Sequence, residues 1–155
     1  MFLLMKDRPT NSSDEWTRGW SSYLKYLELN RSDIPVSAYE FAVADWHYDF
    51  RNHQCPHDAW VESVAFYEKA SGKRSEIRSL QIKVKLLAAY HDGNIEIEYI
   101  DVNQYKFNAN AANHGDWLYD EIRISQNKSV VHEIEFSNSH WYIECADIKY
   151  TWNPK

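Results

Sequence analysis

Three histidine–aspartate pairs are the residues of this sequence best suited to chemistry: His57-Asp58, His91-Asp92 and His114-Gly115-Asp116. An imidazole beside a carboxylate can ligate a divalent metal or move a proton. A working site would need His57, Asp58, His91 and Asp116 to converge, because no HExxH, CxxC or other compact ligand set occurs. Each aspartate also has a local use: Asp58 follows Pro56 ahead of a strand, Asp92 belongs to a turn, and Asp116 ends a loop. Asx side chains favour such places because they bond neighbouring backbone N–H groups. Three separate turns are therefore the favoured reading, and no cofactor is expected.

A second candidate is a thiol nucleophile. A four-residue loop, Ser137 to His140, would set Phe136 by Trp141, Ile134 by Ile143 and His132 by Cys145, and a histidine can lower the pKa of a facing thiol. The neighbours on that face are apolar, which favours an inert buried pair. The third set is acidic. Glu96 and Glu98 fall on the back of one predicted hairpin, and Glu133, Glu135 and Glu144 on the back of another. Tyr142 and Tyr119 are interleaved with them. If these surfaces join, they would steer a basic partner and anchor it through aromatic contacts. Lys69, Lys73, Arg74, Arg78, Lys83 and Lys85 form a separate basic cluster, for internal pairing or an anion. Trp117 and Trp141 are the tryptophans expected to line any pocket.

The elements that must position these residues divide in two. Behind an irregular lead-in, Met1 to Asn11, Ser12 and Glu15 read as a capping box. Trp16, Trp20, Leu24 and Leu27 then form one helical stripe ending near Asn30. Ser37 and Glu40 read as a second box, opening a helix to about Trp46 with Phe41 and Ala42 inward. HYDFRNHQCP from His47 has no period and is a loop. After Asp58 the period becomes two. A strand over about Trp60 to Tyr67 precedes a polar connection, Lys69 to Arg78. A hairpin then centres on Asp92-Gly93, a pair suited to a type I′ turn, setting Tyr90, Ala88 and Leu86 opposite Ile95, Ile97 and Tyr99. Tyr105 to Phe107 continues it after a kink, and NANAANHGD is an irregular surface loop. Strands over Trp117 to Ser125, Val130 to Phe136 and Trp141 to Ala146 follow, with a short one over Ile148 to Trp152. The connection at Gln126 to Ser129 needs an odd length or a bulge, bringing Ile122 to Ile134 and Arg123 to Glu133.

Helices followed by strands imply an α+β fold: two N-terminal helices on a six- to seven-stranded, mostly antiparallel sheet, with curling left open. One domain over 1–155 is expected, helical over 1–50 and β over 57–152. A net charge of -6 argues against nucleic acid or an anionic membrane as partner. Two cysteines make no disulfide framework, and MFLLMK is too short for a signal-peptide core or membrane span, so a cytoplasmic protein is expected.

HDAW at His57 to Trp60, LLAAYHDGNIEIEY at Leu86 to Tyr99, HGDWLYDEI at His114 to Ile122 and the terminal WYIECADIKYTW complete the picture. In these runs the chain resembles a loose group of small bacterial proteins, some associated with immunity proteins of polymorphic toxin systems. The resemblance spans Cys55 to Trp152 and implies a soluble, non-catalytic protein without transferring any functional residue. The expected function is a protein-binding domain, an immunity protein that neutralises a basic toxin through Glu96, Glu98, Glu133, Glu135, Glu144 and Tyr142. The alternative is a small enzyme using the His/Asp pairs or Cys145 with His132. The sequence leaves the assembly state open.

Overall fold

The computed structural model describes residues 13–155, with side chains from Thr17 onward. The expected lead-in, the Ser12–Glu15 capping box and the Trp16 side chain lie outside the described residues. Among the described residues two helices, α1 (Ser13–Leu29) and α2 (Val36–Val43), precede eight strands. These are β1 (Trp60–Ser71), β2 (Ile77–Leu87), β3 (Gly93–Ile100), β4 (Gln104–Ala109), β5 (Trp117–Ile124), β6 (Val130–Phe136), β7 (Ser139–Cys145) and β8 (Asp147–Pro154). The fold is α+β and antiparallel, but the single sheet of six or seven strands is corrected to two four-stranded sheets. Sheet A runs β1-β2-β3-β8 and sheet B runs β4-β7-β6-β5.

Alternation drives the two sheets together. Ile82, Val84, Leu86, Ile95, Ile97 and Tyr99 of sheet A are buried in one cluster with Trp117, Ile122, Ile134, Phe136, Trp141 and Ile143 of sheet B. Trp117 and Trp141 thus fill the core rather than line a pocket. Tyr105 to Phe107 belongs to β4, across the sandwich from the hairpin it was expected to extend. Lys69 to Arg78 is likewise no loop, since β1 runs to Ser71 and β2 begins at Ile77. No helix of the described residues is long and apolar enough to cross a membrane.

The hairpin registers keep their faces and change their partners. Leu86 meets Ile95, Val84 meets Ile97 and Ile82 meets Tyr99, so Tyr99 pairs four residues earlier than Leu86. The turn is closed by His91 N–H on the Ala88 carbonyl (2.9 Å), with His91 at φ 58°. Gly93 is instead a β3 residue on which Trp152 lies: a Cβ there would stand 2.3 Å from the indole. Between β6 and β7 only Ser137 and Asn138 turn, which sets His132 by Ile143 and Cys145 by Val130. The β5–β6 loop is odd, as expected, but Ile122 meets His132 and Arg123 meets Val131. All three shifts are even, so burial of one face is satisfied equally by either register.

The helices close one side of the sandwich. In α2 the buried residues are Ala38, Phe41 and Ala42, and the helix ends at Val43 with Trp46 half-buried beyond it. The second capping box does not form: Pro35 occupies the cap, and Ser37 Oγ–H donates to Asp147 Oδ2 at 2.6 Å, tying α2 to β8. Phe41 stacks between His47 (4.4 Å) and Tyr150 (5.1 Å). On α1 the buried line is Tyr23 and Leu27, flanked by Trp20 and Tyr26, while Leu24 turns outward. The chosen face carries hydroxyls, and these have a specific use at β5.

Candidate functional site

The predicted partner-binding residues divide between two surfaces. Glu96 and Glu98 lie on the outer face of sheet A, where Glu96 pairs across from Lys85, and Glu98 from Lys83 and Lys149. Lys83 Nζ stands 3.6 Å from Glu98, and Lys85 Nζ 3.3 Å from Glu62. Lysines therefore offset the glutamates there. Glu133, Glu135, Glu144 and Tyr142 share the outer face of sheet B, with Tyr119 and Glu121. Glu133 and Glu144 are buried, whereas Glu135 and Tyr142 are partly accessible. Arg123 joins Glu121 (3.4 Å) to Glu133, and His140 Nε2 reaches Glu133 at 2.8 Å. Burial raises the Glu133 pKa, but Arg123 outweighs it and leaves the carboxyl below its ordinary value.

The four residues of the metal alternative do not meet in one shell. His57 Nδ1 pairs with Asp58 (3.2 Å), His91 lies edge-on to Trp60 (4.9 Å), and Asp116 accepts from Trp60 Nε1 (2.7 Å). Among the described residues no group of three or more His, Cys, Asp or Glu side chains could hold a metal ion. The thiol alternative is corrected by the β6–β7 register: Cys145 Sγ–H donates to the Asp147 carbonyl (3.3 Å), while His132 faces other partners. Burial pushes the Cys55 and Cys145 thiols up to about 12, so neither is a thiolate at neutral pH.

Those other partners form a buried polar centre that periodicity did not reveal. Asp120, on β5, accepts from His47 Nε2 (2.9 Å), His132 Nε2 (3.0 Å) and Trp117 Nε1 (3.2 Å). His47 Nδ1 faces the Phe41 carbonyl at 2.8 Å, and a carbonyl only accepts. Both nitrogens of His47 therefore carry hydrogen, and the ring is an imidazolium paired with Asp120. His132 Nδ1 meets Tyr99 Oη at 2.8 Å; a phenol can donate or accept, and because burial favours the neutral ring while Nε2 donates to Asp120, the hydroxyl is the donor there. Burial raises the Asp120 pKa, but His47 and the hydrogen bonds outweigh it and hold the carboxyl far below its ordinary range. Burial lowers His132, in keeping with its neutral form. His47 and His132 have no exposed side-chain surface, and Asp120 has 2%. The group can hold the sheets and helices together; it cannot reach a substrate.

This centre fixes a pH profile. A depressed His132 adds stability that is present above its unfolded value of about 6.5 and is lost as pH falls below it. Asp120 adds a second loss below about 4, where unfolded carboxylates protonate first. The two thiols, raised to about 12, add stability that fades above their unfolded value of about 8.5. We expect unfolding free energy to fall on the acid side of about pH 6.5, by up to about 1.4 kcal/mol per pH unit per group, and to fall again above about 8.5. Denaturant midpoints measured from pH 4 to 10 check this; a midpoint still rising as pH drops from 6.5 to 5 overturns it.

The edges of the sandwich are treated unequally. The helical segment covers β8 and β5. On β5, Tyr48 Oη–H donates to the Asp120 carbonyl (2.7 Å). Tyr23 Oη accepts from Ile122 N–H (2.7 Å) and donates to the Ile122 carbonyl (3.0 Å), and Tyr26 Oη accepts from Ile124 N–H (3.0 Å). Alternate residues 120, 122 and 124 thus find side-chain partners where a fifth strand would pair. The opposite edges, β1 and β4, lie side by side, and among the described residues no strand pairs beyond either. Phe66 of β1 meets Tyr105 (5.2 Å) and Phe107 (6.1 Å) of β4, and Phe66 and Tyr105 remain 47% and 43% exposed. The end of the β1–β2 hairpin is exposed from Phe66 to Arg78. Arg78 pairs with Glu68 (3.4 Å), whereas Lys69, Lys73 and Arg74 make no ion pair. No protein-family profile, curated protein or solved structure matches the chain.

Proposed function

We propose that the chain is a non-catalytic protein-binding domain that takes up an extended acidic segment of a partner along β1 and its neighbour β4. The observation that carries this is the contrast between edges: β5 has its backbone groups bonded by three tyrosines, while twelve-residue β1 lies open beside exposed aromatics. An open edge is a template for strand addition. The unpaired Lys69, Lys73 and Arg74 set the sign of the partner, opposite to that expected from the glutamates. Two free, buried cysteines fit a cytoplasmic setting.

Fluorescence anisotropy with labelled peptides of alternating Glu and Val, or Lys and Val, tests the proposal. The acidic peptide is expected to bind in a salt-dependent way, and K69E/K73E/R74E to weaken it about tenfold or more. Equal binding of both peptides, or none of the acidic one, removes the edge reading. The immunity-protein reading has its own support in Glu133, Glu135, Glu144 and Tyr142 sharing one face. It requires the lysine peptide to bind and Glu135→Lys to abolish that binding.

A further inference from the structure

A cleft of about 620 Å³ opens between the start of β1, the loop over 110–116 and the β6–β7 turn. This is a usual size for a small-molecule site. The walls are tied to each other. Asp116 N–H donates to Ser137 Oγ (2.9 Å), Ser137 N–H to the Asp116 carbonyl (2.9 Å), and Asn138 N–H to the His114 carbonyl (3.0 Å). Gly115, at φ +77°, lies so close to the turn that a Cβ would stand 2.0 Å from Ser137 Oγ. The loop that the sequence marks as irregular is therefore joined to the turn by backbone contact.

Two residues that line the cleft, His114 and Asp116, each keep one polar atom without a bonded partner. Trp141 Nε1–H donates to His114 Nδ1 at 3.2 Å, with Ser139 Oγ at 2.9 Å from the same nitrogen. An indole can only donate, so Nδ1 is the acceptor and the ring hydrogen sits on Nε2. Burial lowers the His114 pKa, which keeps this neutral tautomer. Among the described residues no buried side-chain nitrogen or oxygen lacks a partner. Nε2 has no bonded partner among the described residues, so its N–H is open to solvent on a residue that lines the cleft. On Asp116, Oδ1 is taken by Trp60 Nε1 (2.7 Å) and Oδ2 is open. Trp60, 47% exposed, supplies an aromatic wall.

We infer that this cleft binds a neutral planar molecule through a carboxamide edge, its carbonyl accepting from His114 Nε2–H, its N–H donating to Asp116 Oδ2, and its flat face on Trp60. A carboxylate would meet Asp116 with like charge. An ammonium would pair with Asp116 but leave the His114 N–H without an acceptor. The cleft lies at the start of β1, at the opposite end of that strand from Lys69, and the two proposals are tested with different probes and different variants.

Nicotinamide, nicotinate and 3-(aminomethyl)pyridine share one ring and differ only in the group tested. In an NMR titration of the full chain, nicotinamide is expected to shift the Trp60 indole and His114 ring signals saturably. Nicotinate should bind about tenfold more weakly or worse, and 3-(aminomethyl)pyridine should leave the His114 ring signals unshifted. Asp116→Asn keeps an acceptor for Trp60 and turns the open acceptor into a donor. It should lower nicotinamide affinity about tenfold and reverse the preference toward nicotinate. A loss of structure would weaken all three probes and could not reverse their order. Absence of a saturable shift, equal response to the three probes, shifts confined to other residues, or an unchanged order in D116N overturns the inference.

Discussion

Replacing Asp120 by asparagine is expected to cost about 3–5 kcal/mol of folding free energy, the range for removing one partner of a buried ion pair. The reason lies in the proton inventory of the centre. His47 must donate through both nitrogens, to the Phe41 carbonyl and to Asp120, so it carries a charge with no exposed surface. Asparagine removes the counter-charge and can offer only one acceptor oxygen to three donors, His47, His132 and Trp117. Its amide would also point hydrogens at a histidine N–H. A shortfall of this size is a large part of the roughly 5–15 kcal/mol by which a domain is stable. Urea unfolding reads it as a lower midpoint at unchanged slope. Paired with His47→Gln in a double-mutant cycle, the two losses should couple by more than about 1 kcal/mol. A loss below about 1 kcal/mol for D120N would mean that His47 is held neutral by a different hydrogen-bond arrangement.

The sheet faces were legible because period two is a strong signal: Ile82, Leu86, Ile95, Ile97, Ile134 and Ile143 are all inward, as alternation demands. Registers were less so. Moving Tyr99 from Leu86 to Ile82 keeps every apolar residue inside, so only turn chemistry could choose, and Asp92-Gly93 pointed to the wrong turn. Gly93 serves the close approach of Trp152, a demand that arises from β8 and is invisible within the hairpin. The same limit applies to chemistry. Asp120 and His132 sit in strands at apolar parity, which marks them as inward, but His47 comes from an aperiodic loop and joins them only in three dimensions. The cleft at His114 was half legible: the His114–Asp116 spacing drew attention, while the tautomer depends on Trp141, twenty-seven residues away from His114.

Tyr23→Phe is expected to cost about 2–6 kcal/mol, from two backbone groups each worth about 1–3 kcal/mol when left buried and unpaired. One hydroxyl accepts the Ile122 N–H and donates to the Ile122 carbonyl, so the substitution removes a single oxygen and orphans two groups. Tyr23 is 1% exposed and Ile122 fully buried, which leaves little room for water to take over. Burial holds the phenol well above its ordinary pKa, so this bond survives to strongly alkaline pH. Tyr26→Phe provides the internal comparison: it breaks one bond, to Ile124 N–H, at a half-buried site, and should cost less than about 1.5 kcal/mol. The same comparison bears on the open edge. If the tyrosines protect β5 as a neighbouring strand would, Y23F should also speed hydrogen exchange at Ile122 far more than at Ile134 within sheet B. Equal exchange at both positions would reduce Tyr23 to ordinary packing and take away the contrast between closed and open edges on which the binding proposal rests.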